Sequence, residues 1–165
     1  MGHRIFIAIN LPEDIKKRLE NYQSKWPELP VRWTKKENLH ITLEFLGYIT
    51  DEELLKTFQN TRELALKHKS FFITLNKICY GPPKKMPPRM VWITGEKCQE
   101  FNLLPHITLG RIRTWEFRQI EPEERPEVSE EINLTFEVNS IEVMKSELKR
   151  GGPNYIILES CPLKN

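Results

Sequence analysis

The sequence predicts an α+β fold built as two similar halves, and three observations predict it. The residues His40-Ile41-Thr42-Leu43 recur letter for letter as His106-Ile107-Thr108-Leu109. Most other apolar residues fall in short runs rich in β-branched types and bounded by Gly, Pro or Asn, the signature of strands. Two longer stretches, after Leu11-Pro12 and after Thr50, instead carry apolar residues at helical spacing.

A chain of 165 residues with 39% apolar content is enough for one domain, or for two small lobes on a shared core, and residues 1–165 are read as one unit. The formal charge of +2, made from many charges of both signs, permits an anionic partner but excludes a strongly basic nucleic-acid coat. Cys79, Cys98 and Cys161 form no Cys-x-x-Cys pair and cannot all be bridged, so they read as buried or inert thiols in a reducing compartment. The apolar run over residues 5–9 is too short for a signal peptide or a membrane span, so a cytoplasmic protein without a membrane partner is expected. Phe6 stands where a myristoylation signal needs Ser or Thr, which removes Gly2 as an acceptor.

Residues 4–10 read as a strand, and Pro12-Glu13-Asp14 then places proline and acids where a helix begins. That helix shows Ile15, Leu19, Tyr22 and Trp26 on one face and stops at Pro27 and Pro30. Residues 31–34 form a short strand, and residues 39–46 carry the first motif in a strand ended by Gly47. Thr50-Asp51-Glu52-Glu53 is a capping box, opening a helix whose buried stripe is Leu54, Leu55, Phe58 and Ala65. Strands over residues 71–80 and 90–94 flank the basic, proline-rich loop 84–89, and the second motif strand runs from His106 to about Arg113. Residues 115–131, dense in acids and interrupted by Pro122 and Pro126, read as an exposed loop. Residues 133–148 read as one long strand whose apolar parity switches between Val138 and Ile141, as at a bulge, and Gly151-Gly152 turns it back into residues 155–159.

In a strand, side chains two apart share a face, so each motif presents an imidazole and a hydroxyl together while Ile and Leu face the core. Two such imidazoles in one cleft supply a general base and a general acid near neutral pH, since free imidazole titrates near ~6.5. The hydroxyls of Thr42 and Thr108 can donate to a phosphoryl oxygen as charge develops, and the pair needs no metal and no cofactor. Symmetric proton handling suits in-line displacement at phosphorus, with a cyclic phosphodiester as a fitting substrate. By simple alternation Glu44 and Gly110 share the motif faces, with Gly110 leaving the floor open for a ligand to approach the backbone, while Phe45 has core parity and Arg111 and Arg113 point away.

The two His-x-Thr-Leu motifs stand in a longer ordered pattern. Residues 4–9 precede them, with Trp33, Glu37-Asn38-Leu39, Phe45-Leu46-Gly47, Pro105, Arg111, Ser146-Glu147-Leu148, Gly152, Tyr155 and Pro162-Leu163 following in order. Across nearly the whole chain this resembles the two-histidine phosphoesterases, and within them the RNA 2',3'-cyclic phosphodiesterases, historically called 2'-5' RNA ligases. The resemblance implies a bilobal α+β fold, two pseudo-symmetric halves of antiparallel sheet with helices outside and a central cleft holding both motifs. It implies that His40 is the proton donor and His106 the proton acceptor in opening a terminal 2',3'-cyclic phosphate to a 2'-phosphate. Run in reverse with a 5'-hydroxyl RNA end, the same chemistry would make a 2'-5' linkage without a nucleotide cofactor. The expected partner is therefore RNA with a cyclic-phosphate end, tRNA fragments included, met by a monomer. One departure stands out: such proteins usually carry a helix before the second motif, and residues 96–105 are too few for it.

The alternatives are bland or neighbouring. Two hydrogen-bonded histidines on half-buried strands would explain one motif but not a repeated one in this context. A zinc site wants three or four ligands, and no carboxylate or cysteine accompanies both copies. An RNA-end-binding module would bind without turnover, and a small-nucleotide cyclic phosphodiesterase would prefer nucleoside cyclic phosphates over oligonucleotides. Lys84, Lys85, Arg89, Lys145, Lys149 and Arg150 could follow an RNA backbone, and Phe45 or Tyr155 could stack on a base, but such residues more often serve surface and packing. His3 and His68 have no comparable partners and are read as solvent-facing. No Walker-type glycine loop is present, which argues against an ATP-driven ligase.

Overall fold

Alternating and helical patterns resolve into nine strands and three α-helices in the computed structural model, which describes residues 2–165. In chain order they are β1 (His3–Asn10), α1 (Glu13–Tyr22), β2 (Val31–Trp33), β3 (His40–Ile49), α2 (Asp51–Leu66), β4 (Phe71–Gly81) and β5 (Met90–Gly95). Then follow β6 (His106–Ile112), α3 (Thr114–Arg118), β7 (Ser129–Val138), β8 (Ser140–Lys149) and β9 (Gly152–Pro162). They form two antiparallel sheets, β3-β1-β8-β9 and β2-β6-β5-β4-β7. With β2 set aside the sheets have matching layouts, and the registers agree: Asn10 and Ala8 face His40 and Thr42 as Thr94 and Trp92 face His106 and Thr108. The expected bilobal α+β fold of two similar halves is the one observed.

The motif isoleucines show why the halves hold together. Ile41 and Ile107 are fully buried in one hydrophobic cluster that also takes Ile5 and Ile9 from one sheet and Ile73, Leu75 and Ile93 from the other. Each such side chain contributes about 1.5–3 kcal/mol by leaving water. Pointing Ile inward forces its neighbours His and Thr outward, so core and site are specified by the same alternation. Helix α1 adds Ile15 and Leu19 to this core. Trp26 lies beyond that helix, past a 3-10 turn, buried with its Nε1 donating to the Glu127 carbonyl at 3.1 Å. Helix α2 opens with the expected capping box, Thr50 Oγ1 accepting from Glu53 N at 3.1 Å and Glu53 Oε1 from Thr50 N at 2.9 Å. Its buried residues are Thr61 and Ala65, and Leu55 is exposed rather than part of the stripe.

Several expectations are corrected. The parity switch near Val138 is not a bulge in one strand: β7 belongs to the five-stranded sheet and β8 to the four-stranded one, and the chain crosses between them at Asn139. Residues 115–131 are not a free loop. Phe117 on α3 is buried with Arg125 over its ring, Val128 is buried, and residues 129–131 already belong to β7. The acid-rich composition hid these two apolar anchors. Gly47 does not end its strand, because a positive φ of 76° lets β3 continue to Ile49. His3 pairs with the Asp51 carboxylate, and His68 stacks on Phe101 at 3.9 Å, so neither simply faces solvent.

The short link before the second motif closes without a helix. Cys98 and Leu103 exchange backbone hydrogen bonds at 2.8 and 3.1 Å around a 3-10 turn at Glu100–Asn102. Phe101 and Asn102 there adopt positive φ. Cys98 and Cys161 are buried, Cys79 is half-buried, and all three are free thiols. Among the described residues no helix is long and apolar enough to cross a membrane.

Candidate active site

β3 and β6 carry the two motifs to opposite sides of one cleft of about 380 Å³. His40, Thr42, His106 and Thr108 all line it, so the structure brings the four sequence-predicted residues together. The local reason is a shared irregularity. Ile7 pairs with Glu44 and Ala8 with Thr42, leaving Leu43 without a partner. Val91 pairs with Gly110 and Trp92 with Thr108, leaving Leu109 without one. Both bulges fall three residues after the histidine, and each reverses the strand's alternation beyond it. Phe45 and Arg111, five residues after their histidines, therefore return to the cleft.

That reversal corrects four readings at once. Arg111 does not point away, and Phe45 does not take core parity: both line the cleft. Glu44 is exposed but does not line it. Gly110 leaves no floor for a ligand. A Cβ there would lie 2.4 Å from Val31 Cγ1 and 2.8 Å from Trp33 Cε3, so the glycine lets β2 lie close against β6. Arg113 does stay outside, with Nη1 3.8 Å from the Glu116 carboxylate.

The two imidazoles have different surroundings. His40 is half-buried, its ring 5.0 Å from Phe6 and 5.2 Å from Tyr155 in an edge-on contact. Its Nδ1 lies 2.7 Å from the Asn38 carbonyl, which accepts only from an N–H, so Nε2 is the nitrogen left to exchange a proton. That Nε2 is 2.9 Å from Thr42 Oγ1. Burial pushes His40 below the ordinary histidine value; the nearby Lys16 and His106 push the same way, and the Asn38 carbonyl opposes them. His106 is exposed, its ring 4.4 Å from that of Trp92, and among the described residues the hydroxyl of Thr108 has only the Met90 sulfur, at 3.8 Å, as partner.

Residues outside the motifs complete the site, and sequence alternation alone missed them. Asn38 is buried, its Nδ2 donating to the Pro153 carbonyl at 2.8 Å and its Oδ1 accepting from Tyr155 N at 3.4 Å. The residue whose carbonyl orients His40 thus also anchors the strand that carries Tyr155. Arg4 lies 5.1 Å over the Phe45 ring and 3.4 Å from Ser146 Oγ. Arg4, Arg32, Lys35 and Arg111 line the cleft, and none of the described lining side chains is Asp or Glu. Such a lining favours an anion. No group of three or more His, Cys, Asp or Glu side chains that could hold a metal occurs among the described residues.

Paired His-x-Thr strands from two matching sheets, opening on one cationic cleft, define the class of two-histidine phosphoesterases. Within it the particular family follows from direct comparison. The LigT-like phosphoesterase family model matches residues 9–92, and the chain belongs to that family, which makes the protein a phosphoesterase. It is 30% identical to the RNA 2',3'-cyclic phosphodiesterase of Methanocaldococcus jannaschii over 94% of this chain and 98% of that protein. It is 25% identical to the enzyme of the same name from Thermotoga maritima, over 96% and 94%. A crystal structure of a Thermus thermophilus protein superposes with a TM-score of 0.82 at 25% identity, covering 98% of both chains. E. coli LigT complexed with phosphate shares the fold, with a TM-score of 0.76 at 24% identity over 99% of both chains.

Proposed function

We propose that the protein opens terminal 2',3'-cyclic phosphodiesters of RNA to 2'-phosphomonoesters, with His40 as proton donor and His106 as proton acceptor. The observation that carries this reading is the meeting of both motifs in one cleft with four cations and no carboxylate among its described lining residues. The activity named for the relatives in M. jannaschii and T. maritima supports it.

Water attacks phosphorus opposite the ribose O3', giving its proton to the exposed His106. The P–O3' bond breaks as O3' takes the Nε2 proton of His40, and solvent returns both imidazoles to their starting states. The hydroxyls of Thr42 and Thr108 donate to the non-bridging oxygens as charge builds on them. Burial favours neutral His40 in the free protein, whereas a bound phosphate favours its cation, so the substrate itself helps load the acid. Phe45 offers an exposed ring for the terminal base.

The test is incubation of a short RNA ending in 2',3'-cyclic phosphate with the protein in chelator, with the position of the product phosphate identified. A 2'-phosphate is expected. RNA left intact but tightly bound would favour an RNA-end-binding module instead.

A further inference from the structure

We infer that Arg32 and Lys35, at the rim of the cleft, form a second phosphate subsite that holds the phosphate on the 5' side of the terminal nucleotide, making an oligonucleotide end the preferred ligand. This rests on the phosphodiesterase reading for the identity of the terminal group, but not for the existence of the subsite.

The protein alone leaves an electrostatic conflict unrelieved at this rim. Arg32 on β2 is the direct cross-strand partner of Arg111 on β6, and both side chains line the cleft. Like charges directly opposite on neighbouring strands are destabilising. Among the described residues neither arginine forms an ion pair with a carboxylate. Lys35, exposed at the same rim, also lacks a carboxylate partner among them. An anion between these cations relieves the repulsion and gains charge-assisted hydrogen bonds.

The position of Arg32 points the same way. β2 is the strand with no counterpart in the other sheet, and it lies at an edge. From there Arg32 reaches across the cleft to the tip of the β8–β9 hairpin, which belongs to the other sheet. A Cβ on Gly152 at that tip would stand 2.6 Å from Arg32 Nη2, and Gly152 has a positive φ of 123°. The glycine leaves room for the guanidinium to bridge the cleft mouth.

The charge of the cleft also exceeds that of one terminal group. A terminal cyclic phosphate is a diester with a single negative charge, already served by the His-x-Thr pairs. Arg4 is engaged with Phe45 and Ser146, whereas Arg32 and Lys35 make no side-chain hydrogen bond among the described residues. Two further free cations beside Arg111 exceed what one monoanion requires, and the next phosphate of an RNA chain supplies the missing charge.

The test compares affinities for adenosine 2'-monophosphate, adenosine 2',5'-bisphosphate and a diadenosine dinucleotide ending in a 2'-phosphate, on the unmodified protein and on Arg32→Gln and Arg32→Lys. The unmodified protein is expected to favour the bisphosphate and the dinucleotide over the monophosphate by roughly tenfold, the size of one charge-assisted contact. Arg32→Gln should abolish that preference and lower the salt slope for the dinucleotide by about 0.7, while Arg32→Lys keeps part of both. Preference for the dinucleotide but not the bisphosphate would assign the gain to the second base and overturn the subsite. So would Arg32→Gln weakening all three ligands equally, or leaving the preference intact. Turnover of cyclic-phosphate RNA on the same proteins reads the phosphodiesterase assignment separately: absence of turnover with the phosphate preference present would sink the enzyme reading and support the subsite.

Discussion

Nδ1 of His40 lies 2.7 Å from the main-chain carbonyl of Asn38, which fixes the tautomer and leaves Nε2 facing Thr42. The Asn38 side chain meanwhile holds the backbone of Pro153 and Tyr155. Asn38→Ala is therefore expected to loosen the Tyr155 contact on His40 and lower kcat more than it raises KM. Asn38→Asp, which keeps the acceptor oxygen but loses the amide donor, should recover part of the loss. Steady-state kinetics on both variants checks this, and equal loss in the two would argue against the role of the acceptor.

Burial holds His40 below the ordinary value near ~6.5. Between that lowered value and the ordinary one, the unfolded chain binds more protons than the folded one, so stability rises with pH across this window. The contribution is complete above the unfolded value and is lost as pH falls through the folded one. Thermal unfolding at closely spaced pH values should show this slope, and His40→Gln should flatten it.

Lys16 is buried against the Glu37 carbonyl at 3.2 Å, and its charge helps depress His40. Lys16→Met removes that charge while keeping most of the buried chain. The His40 imidazole signals, followed by NMR titration, should move to a higher midpoint. An unchanged midpoint would mean that the Lys16 charge does not contribute to it.

Gly110 sits where a Cβ would strike Val31 and Trp33. Gly110→Ala should push β2 away from β6 and destabilise the fold by about 1–3 kcal/mol, as overpacking does. Denaturant unfolding measures the loss. Thr50→Ala, which breaks the cap of α2 beyond the far end of the motif strand, should cost about 1 kcal/mol with little change in turnover.

Most of the fold could be read from the chain because alternation and helical spacing report burial directly. Ile41 and Ile107 announced the core, and Thr50 with Glu53 announced a helix start. The misreadings at the cleft share one cause: parity counting assumes an unbroken strand. The bulges at Leu43 and Leu109 move Phe45 and Arg111 into the cleft, and nothing in the letters Leu-Glu or Leu-Gly marks them. Likewise the shift from β7 to β8 looks like a kink in one strand, because a sheet change and a bulge alter the pattern in the same way. Arg32, Lys35 and Asn38 belong to the site through folding partners distant in sequence, which single-residue chemistry does not reveal.

Whether His40 and His106 serve one transition state is tested most directly by single-turnover opening of a cyclic-phosphate RNA end. The unmodified protein is compared with His40→Ala, His106→Ala and the double variant. Each single change should slow opening by roughly a hundred- to ten-thousand-fold with the fold intact, and the double variant should be little worse than the slower single one. Either single variant opening the RNA at the unmodified rate would contradict the two-histidine account.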